Sequence, residues 1–193
     1  MSPATSAAGI TWNLADLFTS ASDPALEASI TQAAQMAQAF AATYRGTIAV
    51  PGGPAAKHLR AGLERLEALY DLLSRPRVYA SLLFSADTSK SENRDLQQRI
   101  EQRYTEIRNL LLFFDLEWLR VSEDDARRLL TDPVLAPYRH HMANARRYKP
   151  HKLTELEEQM VNEKDITGVH AWTRLFTEMT GSLSFPLELD GET

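Results

Sequence analysis

The sequence has no cysteine among its 193 residues, which excludes disulfide bonds, thiolate metal ligands and a cysteine nucleophile. It also lacks an uninterrupted apolar run of the length that a bilayer crossing requires. Its first residues have neither the basic nor the apolar segment of a secretory signal. These absences predict a soluble, cytoplasmic protein that does not associate with membranes.

An excess of positive charge is missing as well. The formal net charge is -5, with 24% charged and 44% hydrophobic residues. Because there is no basic field to attract phosphate backbones, we do not expect nucleic acid as a partner. The length is sufficient for one domain with its own hydrophobic core.

Motifs that carry chemistry are absent too. The sequence contains no G-x-S-x-G nucleophile motif, no glycine-rich phosphate loop after a strand and no H-E-x-x-H zinc motif. Adjacent histidines on a helix diverge by about 100°, so His140 and His141 are poorly placed to share a metal. We expect surface or capping roles for the five histidines, which are His58, His140, His141, His151 and His170.

Two other groups of residues have a simpler structural interpretation. One is a cluster of four acids, namely Glu155, Glu157, Glu158 and Glu163. Three of them lie within or next to the first turn of a predicted helix, where acids are typical of capping. Four aromatic residues at helical spacing are more often core than ligand groove, namely Tyr104, Phe113, Phe114 and Trp118. We therefore predict no catalytic residue, no cofactor-binding residue and no metal ligand in this chain.

The first third of the chain predicts two antiparallel helices. Asp23 is an N-cap before Pro24 at the first helical position, Gly46 is a stop, and Pro54 opens the second helix. Apolar residues at steps of four and three give each helix one narrow apolar face. These faces are Leu26, Ile30, Ala33, Ala37, Phe40 and Tyr44 in the first helix, and Leu59, Leu63, Leu66, Tyr70 and Leu73 in the second.

A proline and a polar segment divide the middle of the chain. Pro76 either ends the second helix near Arg75 or kinks it. After the polar segment, Ser89 or Ser91 is the predicted cap of a long helix over about 92–120. Its apolar face is Leu96, Ile100, Tyr104, Ile107, Leu111, Phe114 and Trp118, widened by Leu110, Leu112 and Phe113.

Residues 148–176 predict a sharp corner followed by two short, firmly capped helices. Pro150 disfavours a helical conformation at the residue before it, so the preceding helix ends near Tyr148. Thr154 and Glu157 have the spacing of a capping box. Another helix starts at Thr167, and its apolar residues share one face, namely Val169, Trp172, Phe176 and Met179.

The two ends of the sequence differ from the helical body. Residues 1–10 are small and polar, which predicts a disordered tail, whereas residues 12–18 include Trp12, Leu14, Leu17 and Phe18 and predict an anchor docked on the domain. Residues 183–189 alternate like a strand, and Asp190-Gly191 is a hairpin turn signal. The prediction is an all-α fold of antiparallel helical hairpins, ending in the start of a truncated β-hairpin.

Two segments have the most specific wording in the chain, KPHKLTELEE at 149–158 and NEKDITGVHAWTRLF at 162–176. They resemble the N-terminal domain of the oligoendopeptidase F family of zinc metallopeptidases. WNLADLF at 12–18 is similar to the opening anchor of the family. YASL at 79–82 and ADT at 86–88 are similar to its second helical hairpin. The resemblance covers nearly the whole chain, although none of these segments is a catalytic motif.

The resemblance implies a division of labour. In this family a helical N-terminal domain forms one wall or lid of a channel that admits short peptides. The catalytic zinc lies on an H-E-x-x-H helix of another domain and activates a water molecule. The implied domains are a tail over 1–10, a helical N-terminal domain over 11–181, and a first strand and turn over 182–193 that lead into a missing catalytic domain. The chain itself would hold no cofactor and be inactive alone.

The resemblance also implies partners. They are the catalytic domain, and short peptides in the zinc-containing full-length protein. A domain separated from such a partner should expose an apolar patch, through which it can self-associate. The alternative is a stand-alone helical interaction module derived from that domain. A chance resemblance in an unrelated bundle is a third interpretation. A reading frame that continues past Thr193 into H-E-x-x-H would favour the first, and a stop codon the second.

Overall fold

The computed structural model describes residues 12–184, and residues 1–11 and 185–193 lie outside this part. The described residues form seven α-helices and two 3-10 turns, with no strand among them. The helices are α1 Pro24–Tyr44, α2 Ala56–Ala86, α3 Ser91–Arg120, α4 Glu123–Thr131, α5 Arg139–Arg147, α6 Glu155–Thr167 and α7 Val169–Gly181. The 3-10 turns are Pro133–Tyr138 and Lys149–His151.

The predicted all-α fold is confirmed. The predictions for both ends concern other residues. The tail over 1–10 lies outside the described part, as does most of the predicted strand and all of its turn. Leu183 and Ser184 are described and have no strand conformation. The proposed domain boundaries therefore stay a prediction. No helix between residues 12 and 184 combines the length and the apolar character that crossing a bilayer requires.

Helices α1, α2 and α3 pack against one another and form the core. Asp23 accepts a hydrogen bond from the Ala25 amide at 2.9 Å and so caps α1, as predicted. Gly46 has a φ of 78°, which suits glycine and lets the chain turn after the helix. All six predicted face residues of α1 are buried. The period of four and three therefore identified the packed side of this helix.

Helix α2 continues through Pro76, so of the two predicted alternatives the end near Arg75 is wrong. Pro76 is itself buried, and the helix runs on to Ala86. The start was also misplaced, because α2 begins at Ala56, two residues after Pro54. Packing against two neighbouring helices holds the segment helical despite the amide that proline lacks.

Helix α3 corrects two other predictions. Its N-cap is Lys90, which makes no side-chain hydrogen bond. Ser89 does not cap the helix, because its hydroxyl donates to Asp87 at 2.6 Å. Ser91 is already the first helical residue. Leu110 is 37% exposed and does not widen the buried face, whereas Leu112 and Phe113 are buried as predicted.

An aromatic cluster fills the middle of the bundle. The Phe40 ring lies 4.6 Å from Tyr44 and 5.3 Å from Phe114 between ring centroids. Gly62 of α2 makes this packing possible, because a Cβ there would lie 2.9 Å from the Phe114 ring. Core roles are confirmed for Phe113, Phe114 and Trp118, which are buried. Tyr104 packs against the core but is only partly buried.

Glu117 is a charged residue inside this core, with 3% exposure. Its carboxylate accepts hydrogen bonds from the amides of Gly46 at 2.7 Å, Ile48 at 3.1 Å and Ala49 at 3.4 Å. The loop between α1 and α2 is thus fastened to α3 through one side chain. A buried carboxylate is tolerated because backbone donors replace its lost water.

The predicted N-terminal anchor is partly confirmed. Phe18 is buried with its ring 5.3 Å from that of Tyr79, and Leu14 and Leu17 pack at the edge of the core. Trp12 is 73% exposed, so its assignment to the anchor was wrong. The docked segment therefore begins at Leu14.

Candidate functional site

Helices α6 and α7 form a hairpin that packs beside the bundle rather than within it. The predicted capping box at the start of α6 is confirmed. Glu157 accepts the Thr154 amide at 2.9 Å, and the Thr154 hydroxyl accepts the Glu157 amide at 3.4 Å. Hydrogen bonds from the Thr154 side chain and then from its backbone lower the pKa of Glu157.

The other acids of this region also have structural partners. Glu155 pairs with Arg45 at 2.8 Å, and Glu158 accepts the Leu153 amide at 3.1 Å and pairs with Lys152 at 3.2 Å. The interpretation of this group as helix-start acids is confirmed for these residues.

The start of α7 differs from the prediction of a firmly capped helix. Thr167 is the last residue of α6, and the N-cap of α7 is Gly168, which makes no side-chain hydrogen bond. A Cβ at residue 168 would lie 2.9 Å from the Lys164 carbonyl oxygen. The sharp corner between the two helices therefore depends on glycine, not on a capping side chain.

The side of α6 that faces the bundle is mostly polar. The Asn162 amide donates to the Asn109 side-chain oxygen of α3 at 2.9 Å, and the Gln159 amide reaches the Asn109 carbonyl at 3.5 Å. The Glu155 pair with Arg45 lies on the same side. Helix α6 is thus attached to α3 by hydrogen bonds and to Arg45, the residue after α1, by an ion pair.

The inner side of α7 is polar as well. It borders a cleft of about 550 Å³ shared with α2 and α3, into which His170, Thr173 and Arg174 project. His170 Nδ1 lies 3.7 Å from the Glu101 carboxylate, and the Arg94 guanidinium lies 3.8 Å from Glu178. These contacts are long, so α7 is held less closely than the helices of the core.

The apolar side chains of the hairpin point to solvent. Trp172 is 71% exposed and Phe176 is 68% exposed, although the sequence predicts both on a helical face with Val169 and Met179. We define the α6–α7 apolar face as the exposed set Leu156, Met160, Val169, Trp172, Phe176 and Met179. The predicted apolar face of α7 is therefore real, but no described residue covers it.

Large exposed apolar side chains at helical spacing are typical of a protein interface. Aromatic residues contribute most to such interfaces because each buries a large area with few rotatable bonds. The polar residues on the inner sides of α6 and α7 are the feature of the sequence that indicates the outward direction of the apolar face. Gln159 and Asn162 on one helix, and His170 and Arg174 on the next, alternate with the apolar positions. Two polar inner sides indicate that the apolar sides face away.

The histidines are dispersed over the structure. His58 Nε2 lies 2.9 Å from the Thr47 hydroxyl, while His140 and His141 lie on α5, His151 in a 3-10 turn and His170 on α7. Between residues 12 and 184 there is no group of three or more histidine, aspartate or glutamate side chains that could hold a metal. The described residues therefore do not fit a zinc ion.

Comparison with known proteins locates the family signal in this half of the chain. Residues 117–185 match the family model described as oligopeptidase F, Peptidase_M3_N. The Group B oligopeptidase PepB of Streptococcus agalactiae serotype III (strain NEM316) is 30% identical over 103 residues. That alignment covers 51% of this chain and 17% of the relative. No solved structure matches the chain.

The matched region contains the last turn of the α3 core helix, helices α4 and α5, and the whole α6–α7 hairpin. It also contains the two most specific segments of the resemblance, at 149–158 and 162–176, whereas the segments at 12–18, 79–82 and 86–88 lie outside the matched region. The resemblance to the N-terminal domain of an oligoendopeptidase F family peptidase is thereby confirmed.

Proposed function

We propose that this chain is the N-terminal helical domain of a zinc-dependent oligoendopeptidase and forms a wall or lid of its peptide channel. The α6–α7 apolar face would be the surface that packs against the catalytic domain. The observation that carries the proposal is the outward orientation of Trp172 and Phe176 within the region that matches the family. Burying two aromatic side chains in such an interface would stabilise it by several kcal/mol, at about 25 cal/mol per Å².

The domain would control the access of peptides to the catalytic domain and would contribute no residue to peptide hydrolysis. The sequence has no H-E-x-x-H motif, and the described residues have no metal-binding group. Zinc, as the cofactor of peptide hydrolysis, would belong to the catalytic domain. Helices α6 and α7 would connect the bundle to that domain, so that the bundle restricts which peptides reach the reacting centre. We therefore expect the 193-residue chain alone to be inactive. We also expect the protein to be located in the cytoplasm.

Peptide hydrolysis tests this proposal. The complete gene product should cleave short unfolded peptides, lose that activity with a chelator and regain it with added zinc. The purified 193-residue chain should show no chelator-sensitive cleavage under the same conditions. Such cleavage by the chain alone, or a complete product that has no peptidase activity at all, would contradict the proposal.

A matched pair of tryptophans separates the interface from general surface effects. Trp172 and Trp12 have almost equal exposure, 71% and 73%, but only Trp172 lies on the α6–α7 apolar face. In the complete product, Trp172→Ser should reduce peptidase activity and domain cohesion, and Trp12→Ser should leave both unchanged. Equal effects of the two substitutions would remove the reason for assigning the face to the catalytic domain.

The alternative function is that of a stand-alone interaction module. The same exposed face supports it, because any apolar partner could be bound there. A complete gene product without H-E-x-x-H would favour this alternative. In either case we expect the isolated chain to self-associate through the face. Sedimentation should then show oligomers that Trp172→Ser reduces to monomers, and a clean monomer in the wild type would contradict this expectation.

A further inference from the structure

A second feature lies away from the α6–α7 apolar face. Helices α4 and α5 border a cleft of about 640 Å³. Three arginines line it, Arg127 from α4 and Arg139 and Arg146 from α5, together with one acid, Glu123. The lining residues therefore have an excess of positive charge, in a chain whose formal net charge is -5.

The sequence of α5 places its two arginines on the same side. Arg139, Ala143 and Arg146 follow each other at steps of four and three, so they lie along one helical face. Ala126 of α4 lines the same cleft. Both alanines are small, which leaves space between the arginine side chains. The cleft is therefore a consequence of this spacing.

The single acid of the cleft is already occupied. Glu123 accepts from Arg146 at 2.6 Å and from Lys149 at 3.1 Å. Hydrogen bonds from the Arg146 and then the Lys149 side chains lower the pKa of the Glu123 carboxyl. Its negative charge is thus shared between two cations and does not neutralise the other arginines.

Arg127 and Arg139 retain binding capacity. Arg127 pairs with Asp124 at 3.1 Å, but both side chains are largely exposed, so this ion pair is weak. Arg139 donates through Nε to the Leu130 carbonyl at 2.6 Å. Among residues 12–184 no partner accepts a hydrogen bond from its two terminal nitrogens. Both guanidinium groups can therefore turn toward a ligand in the cleft.

Arg146 is held in a fixed position beside the cleft. Its side chain is only 8% exposed, and its terminal nitrogens donate to the Trp118 carbonyl at 2.8 Å and the Val121 carbonyl at 2.9 Å. Its guanidinium also lies over the Trp118 ring, 5.2 Å from the ring centroid. Arg146 therefore forms part of the wall of the cleft, and Arg127 and Arg139 are the arginines that can reach a ligand.

We propose that the α4–α5 cleft binds a compact, doubly charged oxyanion of the phosphate type. Guanidinium groups bind tetrahedral oxyanions through paired hydrogen bonds. Arg127 and Arg139 would supply these donors, while Arg146 is held by the Trp118 and Val121 carbonyls and by Glu123. The chain between Arg139 and Thr154 contains no aspartate or glutamate, although the protein as a whole is acidic. This local absence of acids is the signal in the sequence for the site.

A titration with inorganic phosphate tests the site. The ¹⁵N-labelled 193-residue chain is titrated at constant ionic strength, with chloride replaced by phosphate, and amide shifts are followed by NMR. We expect saturable shifts concentrated in residues 123–131 and 139–147. Arg127→Gln and Arg139→Gln should each weaken the binding about tenfold, because each removes a charge-assisted hydrogen bond.

Arg103→Gln is the matched control. Arg103 lies on α3, pairs with Glu106 at 2.9 Å and does not line the cleft, so its loss changes the net charge equally without changing the site. This variant should bind phosphate like the wild type. Shifts that do not saturate, that spread over the whole surface, or that weaken equally in Arg103→Gln would show charge screening only and overturn the proposal.

Discussion

Helices α1 and α7 each have one apolar face, but the face of α1 is buried in the core and the face of α7 is exposed to solvent. In α1 the six apolar residues face α2 and α3 and are buried. In α7 the apolar residues face solvent, while the polar side borders the cleft beside α2 and α3. The difference indicates that the described residues cover the apolar face of α1, whereas the apolar face of α7 is suited to a partner.

The attachment of the two regions differs in the same way. The bundle is held by buried aromatic and aliphatic side chains, together with the buried Glu117. The hairpin is held by the Asn109–Asn162 hydrogen bond and by exposed or long ion pairs. Apolar burial dominates folding free energy, so the bundle supplies most of the stability and the hairpin supplies little.

The largest expected effect separates a buried from an exposed phenylalanine. Phe114→Ala in the bundle should reduce the free energy of unfolding by about 3–5 kcal/mol, because it leaves a cavity among packed rings. Phe176→Ala in the hairpin should change it by no more than about 0.5 kcal/mol. Urea denaturation of both variants measures the difference. A comparable loss in Phe176→Ala would mean that the hairpin is part of the core.

The next effect compares two acids. Glu117→Ala should cost about 3 kcal/mol, because three loop amides lose a buried acceptor. Glu155→Ala should cost less than about 1 kcal/mol, because its ion pair with Arg45 is partly exposed to solvent. The same denaturation experiment applies. Equal losses of unfolding free energy in the two variants would contradict the conclusion that Glu117 attaches the α1–α2 loop to α3.

Part of this contrast was predictable from the sequence. The apolar faces of α1 and of most of α3 follow from helical periodicity, which depends only on local spacing. Glu117 was not predicted, because a single acid in an amphipathic helix looks like a surface residue until the loop amides are placed beside it. Ser89 was misassigned as a cap because Asp87 competes for its hydroxyl.

The candidate site was only half predictable. The apolar residues of α7 were identified correctly, but periodicity shows only that one face is apolar, not what covers it. The side to which this face turns depends on tertiary contacts such as that of Asn162 with Asn109. Those two residues are far apart in the sequence, so local spacing does not reveal their contact. The α4–α5 arginines were missed because they come from two helices, although the run without acids was visible.

The smallest expected effect concerns pH and the capping box of α6. Because the pKa of Glu157 is lowered in the folded state, its ionised form stabilises the hairpin above the unfolded value of 4.5. That contribution is lost as the pH falls through the lower folded value. The protection factors of the α6 amides, which are exchange rates corrected for their intrinsic pH dependence, should therefore fall below about pH 4.5, and Glu157→Gln should flatten this dependence. An unchanged pH profile in the variant would contradict the role of the box.

The central claim is that the α6–α7 apolar face is covered by a catalytic domain. Hydroxyl-radical footprinting of tryptophan tests it most directly, in the 193-residue chain and in the complete gene product. We predict that Trp172 is labelled as strongly as Trp12 in the chain alone when it is diluted until it is monomeric, because the two are equally exposed in a single chain. In the complete product Trp172 should become protected while Trp12 is still labelled. Equal labelling of both tryptophans in the complete product would contradict the claim.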